Sequence, residues 1–200
     1  KAELQQLIDM MQGASISFTM TKTGPTKFER KLSAKIGGNA ALLLDLQLSA
    51  IEDTLSGMYT AAPDKPVGVG AYWMVTDRRM SFGSEVIRYR VFRVVEVEGD
   101  TATLSVELRQ YATNDKSAFA QPPLVMDEYA AAGKGAILIV PKLYWPAGGL
   151  IQMKLGSQLV PAEAKGNPRA QHQQLTIDAT VEIGGIEEKG GFIYKLFKAG

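Results

Sequence analysis

Cysteine is absent from this chain, and with it go disulfides, thiolate metal sites and a cysteine nucleophile. Histidine occurs once, as His172 in Gln171-His172-Gln173-Gln174. One imidazole cannot build a histidine metal site, and no serine stands in a Gly-x-Ser-x-Gly elbow, so a hydrolytic triad has no support. The position reads as a solvated residue at the start of a strand. Basic runs are lacking too, and the formal charge is +1. Neither nucleic acid nor an anionic membrane is therefore expected as a partner on electrostatic grounds. The longest apolar runs, Ala136 to Val140 and Ala40 to Leu44, fall far short of the ~18–20 residues of a membrane-spanning helix. No transmembrane segment is expected.

Glycine-rich stretches are present, but they lack the spacing of cofactor loops. Gly68-Val69-Gly70 has Trp73 where a dinucleotide fingerprint needs its third glycine, and a strand follows where a helix N-terminus would hold phosphate. Gly133-Lys134-Gly135 does not have the spacing of a phosphate loop. Both read as turns whose glycines supply positive φ, and no cofactor or metal is expected. Asp77, Glu85, Asp127 and Glu128 are scattered carboxylates that no spacing brings together as an acid/base pair. The chain is read as not an enzyme.

What remains is ordinary globular material. Hydrophobic residues make up 46% and charged residues 22% of 200 residues, enough to bury a sizeable core without metals or crosslinks. The firmest local signal is a hairpin. Ile87, Tyr89, Val91, Val95 and Val97 recur at period two, and after Gly99-Asp100 so do Ala102, Leu104, Val106 and Leu108. Gly99-Asp100 suits a type II′ turn, which needs positive φ at its first central residue. The register follows: Glu98 faces Thr101, Val97 faces Ala102, Val95 faces Leu104, Val91 faces Leu108 and Ile87 faces Ala112. The other face then carries Arg88, Arg90, Glu96, Thr101, Thr103, Ser105, Glu107 and Arg109 and is expected to be wet.

Elsewhere, Lys1 to Gln12 has helical spacing. Ile16, Phe18 and Met20, then Phe28, Arg30 and Leu32, alternate as a strand pair around a turn at Thr23 to Thr26. Asn39 to Tyr59 is the one long helix, because Leu44, Leu48, Ile51, Leu55 and Met58 follow the i, i+4, i+7 rule. Against it stand the alternation of Leu42, Leu44, Leu46 and Leu48 and a capping-box pattern at Ser49 to Glu52, which would start a shorter helix. Leu124 to Ala132 reads as a short helix and Ala136 to Val140 as a strand. Ile151, Met153, Leu155 and Leu159 share one strand face, as do Leu175, Ile177, Ala179, Val181 and Ile183. Pro161 to Arg169 is an exposed hairpin loop.

The fold expected is α+β, mostly antiparallel: a strongly curved sheet or sheets of eight or more strands covered by the long helix. One domain, 1–200, accounts for this. A second reading divides it into two similar β halves, about 14–113 and 133–197, joined by 114–132.

The segment Leu42 to Trp73, a leucine-rich helix followed by Pro63-x-x-Pro66-Val67-Gly68-Val69-Gly70-Ala71-Tyr72-Trp73, resembles a group of uncharacterised secreted proteins and lipoproteins of the bacterial cell envelope. The resemblance implies an extracytoplasmic place: periplasmic, outer-membrane-anchored or secreted. The chain begins at Lys1, so a signal segment is expected to be missing from it. By architecture alone, a helix on a curved antiparallel sheet is similar to lipid carriers of the LolA and LppX type.

The residues best able to line an apolar cavity are Tyr72, Trp73, Met74, Tyr89, Tyr144, Trp145, Leu48 and Leu55, since aromatic and methionine side chains adapt to irregular ligands. Most of these also suit an ordinary core. Arg88, Arg90 and Arg109 form a candidate contact for an anionic group, against which stands a solvated charge ladder with Glu96 and Glu107. Two functions are expected in turn. The first is a non-enzymatic extracytoplasmic protein binding lipid or another apolar or amphiphilic molecule. The alternative is a structural or protein-interaction module of an envelope assembly, without a cavity, that self-associates or holds an envelope protein through an apolar patch or an open edge strand.

Overall fold

The computed structural model describes residues 15–21, 24–31, 38–61, 63, 65–81, 84–114, 124–140, 146–183 and 194–196. It divides into two compact units, Lys1–Tyr59 and Thr60–Gly200. The expected helix at 1–12 and the aromatics Tyr144 and Trp145 lie outside the described residues.

In the first unit, alternation gives the expected ribbon: β1 (Ser15–Thr21) pairs antiparallel with β2 (Gly24–Lys31). The rings of Phe18 and Phe28 meet at 5.5 Å between centroids. The helix α1 (Gly38–Met58) forms as one 21-residue piece, within a residue of the expected span. Leu44, Leu48, Leu55 and Met58 are buried along it, so the period of 3.6 prevails over the strand-like alternation of its leucines. Ser49 and Glu52, which read as a capping box, sit inside the helix and hold Arg30 of β2 instead. Arg30 donates from Nε and Nη2 to the Glu52 carboxylate at 2.6 and 2.8 Å, from Nη2 to Ser49 Oγ at 3.0 Å, and from Nη1 to Asp45. The Glu52 hydrogen bond outweighs the cost of partial burial and, with the charges of Glu52 and Asp45, raises the Arg30 pKa. Ribbon and helix are thereby tied by one fork-shaped cation.

In the second unit, seven strands form one antiparallel meander: β3 (Tyr72–Ser81), β4 (Ser84–Glu98), β5 (Thr101–Ala112), β6 (Leu124–Ile139), β7 (Gly148–Pro161), β8 (Gln173–Ile183) and the short β9 (Tyr194–Leu196). Each pairs with its chain neighbours. The expectation of a strongly curved sheet of eight or more strands under a helix is thus corrected. The strands described here fall into two sheets, neither closed nor strongly curled: the ribbon, and a meander of six long strands with a three-residue seventh. A meander adds each strand to the outer edge of the last, so β3 and β9 end on opposite edges and nothing draws them together.

The Val67-Gly68-Val69-Gly70-Ala71 segment is the turn that feeds this sheet. Ala71 N–H bonds Gly68 O at 3.0 Å, Gly70 N–H bonds Val94 O at 2.9 Å, and Ala71 O accepts Val94 N–H at 2.9 Å. Gly70 sits at φ +86°, a conformation open to glycine at little cost.

The hairpin forms with Glu98 opposite Thr101 and Val97 opposite Ala102, as expected. Gly99 has φ +55° while Asp100 is not among the positive-φ residues, which fits a type II′ turn. Beyond Val97 the expected register fails. A β-bulge between Val94 and Glu96 leaves Val95 as an extra residue, so Leu104 faces Val94, Leu108 faces Arg90 and Ala112 faces Val86. One inserted residue turns every later side chain to the other face. The inner face of β4 is therefore Val86, Arg88, Arg90, Phe92 and Val94, all buried, whereas Tyr89, Val91, Val95 and Val97 are exposed. On β5, Leu104, Val106 and Leu108 point inward as expected.

Leu124 to Ala132, expected as a helix and as part of a joint between halves, is the first part of the 16-residue strand β6. Its three alanines favour helix in isolation, but β5 and β7 pair with it on both sides, and tertiary pairing decides. Gly133 and Gly135, expected as a turn with positive φ, lie within this strand instead, and neither has positive φ. A Cβ at Gly135 would stand 2.0 Å from Leu150 O and 2.8 Å from Ile151 Cα, so only glycine lets β6 and β7 approach this closely. Ile151, Met153, Leu155 and Leu159 of β7 are buried on one face. On β8, Val181, Ala179 and Ile177 stand opposite Ile151, Met153 and Leu155, and Gln173 stands opposite Leu159.

Candidate binding face

The meander has two faces of different character. On the inner face, the apolar rows run out at one corner into a polar cluster. Asp77 of β3 lies opposite Arg88 of β4, which lies opposite Gln110 of β5. Arg88 Nε and Nη2 donate to Asp77 Oδ1 and Oδ2 at 3.0 and 2.5 Å, and Arg90 Nη2 stands 3.6 Å from Asp77 Oδ2. Arg88 and Arg90 are only 1% and 2% exposed. Arg90 also places its guanidinium 5.9 Å from the centre of the Phe92 ring, a cation–π contact. Beside this pair, Tyr129 OH donates to Gln110 Oε1 at 2.9 Å and Ser81 Oγ reaches Gln110 Oε1 and Tyr129 OH at 3.3 and 3.1 Å.

Burial by itself would raise the pKa of Asp77. The Arg88 hydrogen bonds and the charges of Arg88, Arg90 and Arg79 outweigh it and hold the carboxyl below its ordinary value. Guanidinium groups stay protonated at any ordinary pH, and the carboxylate is locked in its charged form. Such a cluster fixes the β3–β4–β5 corner.

The outer face is open and mixed. From β3 it shows Tyr72, Met74, Thr76 and Met80; from β4, Tyr89, Val91 and Arg93; from β5, Glu107, Arg109 and Tyr111. Tyr89 and Tyr111 meet edge to face at 6.2 Å, an arrangement favoured by the ring quadrupoles. Three open depressions line up across this side. One of about 450 Å³ lies among Tyr72, Val91, Arg93 and Glu107. The next, about 540 Å³, has Ala132 between Arg109, Lys134, Gln152 and Lys154, with the carboxylates of Glu107 and Asp178 also on its lining. The third, about 640 Å³, lies by Tyr111, Glu128, Gln158 and Lys165.

The middle depression exists because β6 offers only a methyl at Ala132, opposite Arg109 on one side and Lys154 on the other, while Lys134 stands two residues along. The two flanking strands are about 9.6 Å apart. Lys154 approaches Asp178 at 4.0 Å. The side chains of Arg109 and Lys134 make no hydrogen bond or ion pair among the described residues, although Glu107 stands opposite Lys134 across the β5–β6 ladder.

The candidate residues are therefore split. Tyr72, Met74, Tyr89 and Arg109 share the outer face. Trp73 turns inward and stacks on Phe92 at 5.6 Å between centroids, and Arg88 and Arg90 go inward with it. The expected grouping of Arg88 and Arg90 with Arg109, and of Arg90 opposite Arg109, is corrected by the bulge: Tyr89 faces Arg109. Leu48 and Leu55 are buried in α1, in the first unit.

His172, expected to be solvated, is half-buried, with Nε2 3.2 Å from Asp127 Oδ2. Asp127 Oδ1 accepts Gly166 N–H at 3.2 Å, so the pair fastens the 162–172 loop to β6. Val91, Tyr111 and Lys134 join this face without being among the binding residues expected from the sequence. Tyr111 shares parity with Glu107 and Arg109 and was legible on that ground; Val91 was hidden by the bulge.

Among the described residues, no group of three His, Asp or Glu is placed to hold a metal ion, and no helix is long and apolar enough to cross a membrane. Compared with known proteins, the chain matches no family model, no curated protein and no solved structure.

Proposed function

We propose that the chain is a non-enzymatic, extracytoplasmic binding protein that takes an anionic amphiphile on the outer face of the meander. The apolar part lies on Tyr89, Val91 and Tyr111, and the anionic group reaches the Arg109, Lys134 and Lys154 cluster over Ala132. One observation carries this reading: uncovered aromatic and aliphatic side chains adjoin cations of which two, Arg109 and Lys134, have no ion pair among the described residues. An apolar surface beside a few convergent polar groups is what small-molecule sites are made of. The compartment rests on the resemblance of the Pro63 to Trp73 segment to envelope proteins.

Native mass spectrometry on protein prepared without detergent, followed by organic extraction of the same sample, tests it. A stoichiometric added mass that appears in the extract as an anionic lipid is expected, weakened at least tenfold by Arg109→Glu. A mass that stays at 21.7 kDa after incubation with phosphatidylglycerol vesicles overturns it. A second reading, the protein-interaction module, is favoured by a separate feature, the open edge strand β3.

A further inference from the structure

Strand β3 ends the seven-stranded order, and its far edge pairs with nothing among the described residues. The parity of its backbone groups can be read from its neighbours. Val94 donates to Ala71 O and accepts from Gly70 N–H, so the even residues of β4 turn toward β3; Glu85 O accepts Thr113 N–H, so the odd ones turn toward β5. The even residues of β4 face the odd residues of β3. It follows that Trp73, Val75, Asp77 and Arg79 direct their N–H and C=O groups into the sheet. Tyr72, Met74, Thr76, Arg78 and Met80 present theirs along the free edge; of these groups, Met80 O already accepts Arg79 Nε at 3.4 Å. The same edge carries the most exposed large apolar side chains of the sheet: Tyr72 is 75% exposed, and Met74 and Met80 are each 61% exposed. Edge strands ordinarily protect themselves with charge, proline or a bulge. The first half of β3, Tyr72 to Thr76, has none of these.

We infer that this edge pairs with β3 of a second copy of the chain, antiparallel about a two-fold axis through Thr76. Continuity of the two outer faces allows only registers in which an even residue meets an even one. With Thr76 opposite Thr76 of the second copy, Tyr72 meets Met80 and Met74 meets Arg78 on the outer face, while Trp73 meets Arg79 and Val75 meets Asp77 on the inner face. Each pair occurs twice by symmetry, apart from the central threonines. Tyr72–Met80 is a sulfur–aromatic contact, Trp73–Arg79 a cation–π contact and Thr76–Thr76 a favourable cross-strand pair. The neighbouring registers are worse. Sliding by two residues one way sets Asp77 opposite Asp77, and by four sets Arg78 opposite Arg78; like charges directly opposed are destabilising. Sliding by two the other way shortens the ladder. The chosen register uses the whole of 72 to 80 and continues the meander through the axis into the sheet of the second copy. This interface is an isologous edge contact and leaves the depression over Ala132 open, so it stands or fails apart from the ligand.

Analytical ultracentrifugation of the full chain over a concentration series tests the pairing. A species of twice 21.7 kDa is expected. Thr76→Pro removes an N–H that points away from β4, which an edge strand tolerates, and is expected to give a monomer with an unchanged circular dichroism spectrum. Met74→Lys, set opposite Arg78, is expected to weaken the dimer at least tenfold, and combining it with Arg78→Glu to restore it. That rescue keeps the test decisive should Thr76→Pro fail to fold. A chain that remains a monomer at about 100 µM overturns the inference, as does a dimer that survives both Thr76→Pro and Met74→Lys.

Discussion

The inverted face of β4 makes a quantitative prediction, because two adjacent residues exchange roles. Plain alternation from the Gly99-Asp100 turn puts Val91 in the core and its neighbours in water. The bulge at Val95 reverses this: Phe92 is fully buried at 0% exposure, stacked on Trp73 and opposite Val106, while Val91 is 36% exposed on the outer face. Phe92→Ala removes a buried ring and leaves a cavity, a change that costs about 3–5 kcal/mol. Part of that is the ring-stacking contribution of about 0.5–1.5 kcal/mol. Val91→Ala removes two methyl groups from a partly wet site and costs under about 1 kcal/mol. Urea unfolding followed by tryptophan fluorescence separates the two. With m of about 2 kcal/mol/M, a loss of about 4 kcal/mol moves the midpoint down by about 2 M for Phe92→Ala, against less than about 0.5 M for Val91→Ala. Phe92→Leu, which keeps most of the volume, falls between them and remains measurable if the alanine variant does not fold. Equal shifts, or a larger loss at Val91, would refute the bulge and the face assignment built on it.

The Asp77 cluster predicts acid sensitivity of a definite sign. Its pKa is lower folded than unfolded, so its contribution is fully present above the unfolded value, about pH 4, and is lost as pH falls through the folded value. Asp77→Asn should lower stability at pH 7 by roughly 1–3 kcal/mol and flatten the acid limb of a melting-temperature profile; an unchanged acid limb would show that Asp77 is not its source. Gly135→Ala should cost more than about 3 kcal/mol or abolish folding, because its Cβ collides with Leu150 O. Gly156→Ala, where nothing lies within 4 Å, should be neutral or stabilising by up to about 1 kcal/mol. Thermal denaturation of the two variants checks the contrast. His172→Ala should loosen the 162–172 loop and speed limited proteolysis at Lys165 and Arg169 several-fold while the melting temperature moves little; unchanged cleavage would mean that the Asp127 contact does not hold the loop.

How far the sequence could be read depended on whether a signal was local. The α1 helix was legible because five apolar residues repeat at helical spacing, and the hairpin turn because Gly99-Asp100 admits few geometries. The bulge was not: in Val94-Val95-Glu96-Val97 either valine can be the extra residue, and only the packing of Phe92 and Leu104 selects one. Read alone, Arg88 and Arg90 belong in water, as isolated guanidinium groups do; their partner Asp77 lies on another strand, opposite Arg88. The strand nature of 124–132 was masked by alanine, whose helix preference acts within the segment while the pairing with β5 and β7 acts across it. The candidate site shared that fate. Tyr72, Met74, Tyr89 and Arg109 share a face, whereas Trp73, expected with them, is one residue, and so one face, removed.

In the meander every strand from β3 to β9 pairs only with strands adjacent in the chain, so no pairing has to wait for a distant segment. Loop-closure entropy is small at each step, which favours rapid folding. The β4–β5 hairpin, closed by the two-residue turn Gly99-Asp100, and the β3–β4 hairpin, where Ser81 faces Ser84, are the short routes to a nucleus among the long pairings. From the β4–β5 hairpin the sheet can grow in both directions. During synthesis from the N-terminus, β6 to β9 would then be laid down in the order in which they emerge, each on an edge already formed, and a chain halted after any strand would leave a smaller sheet of the same topology.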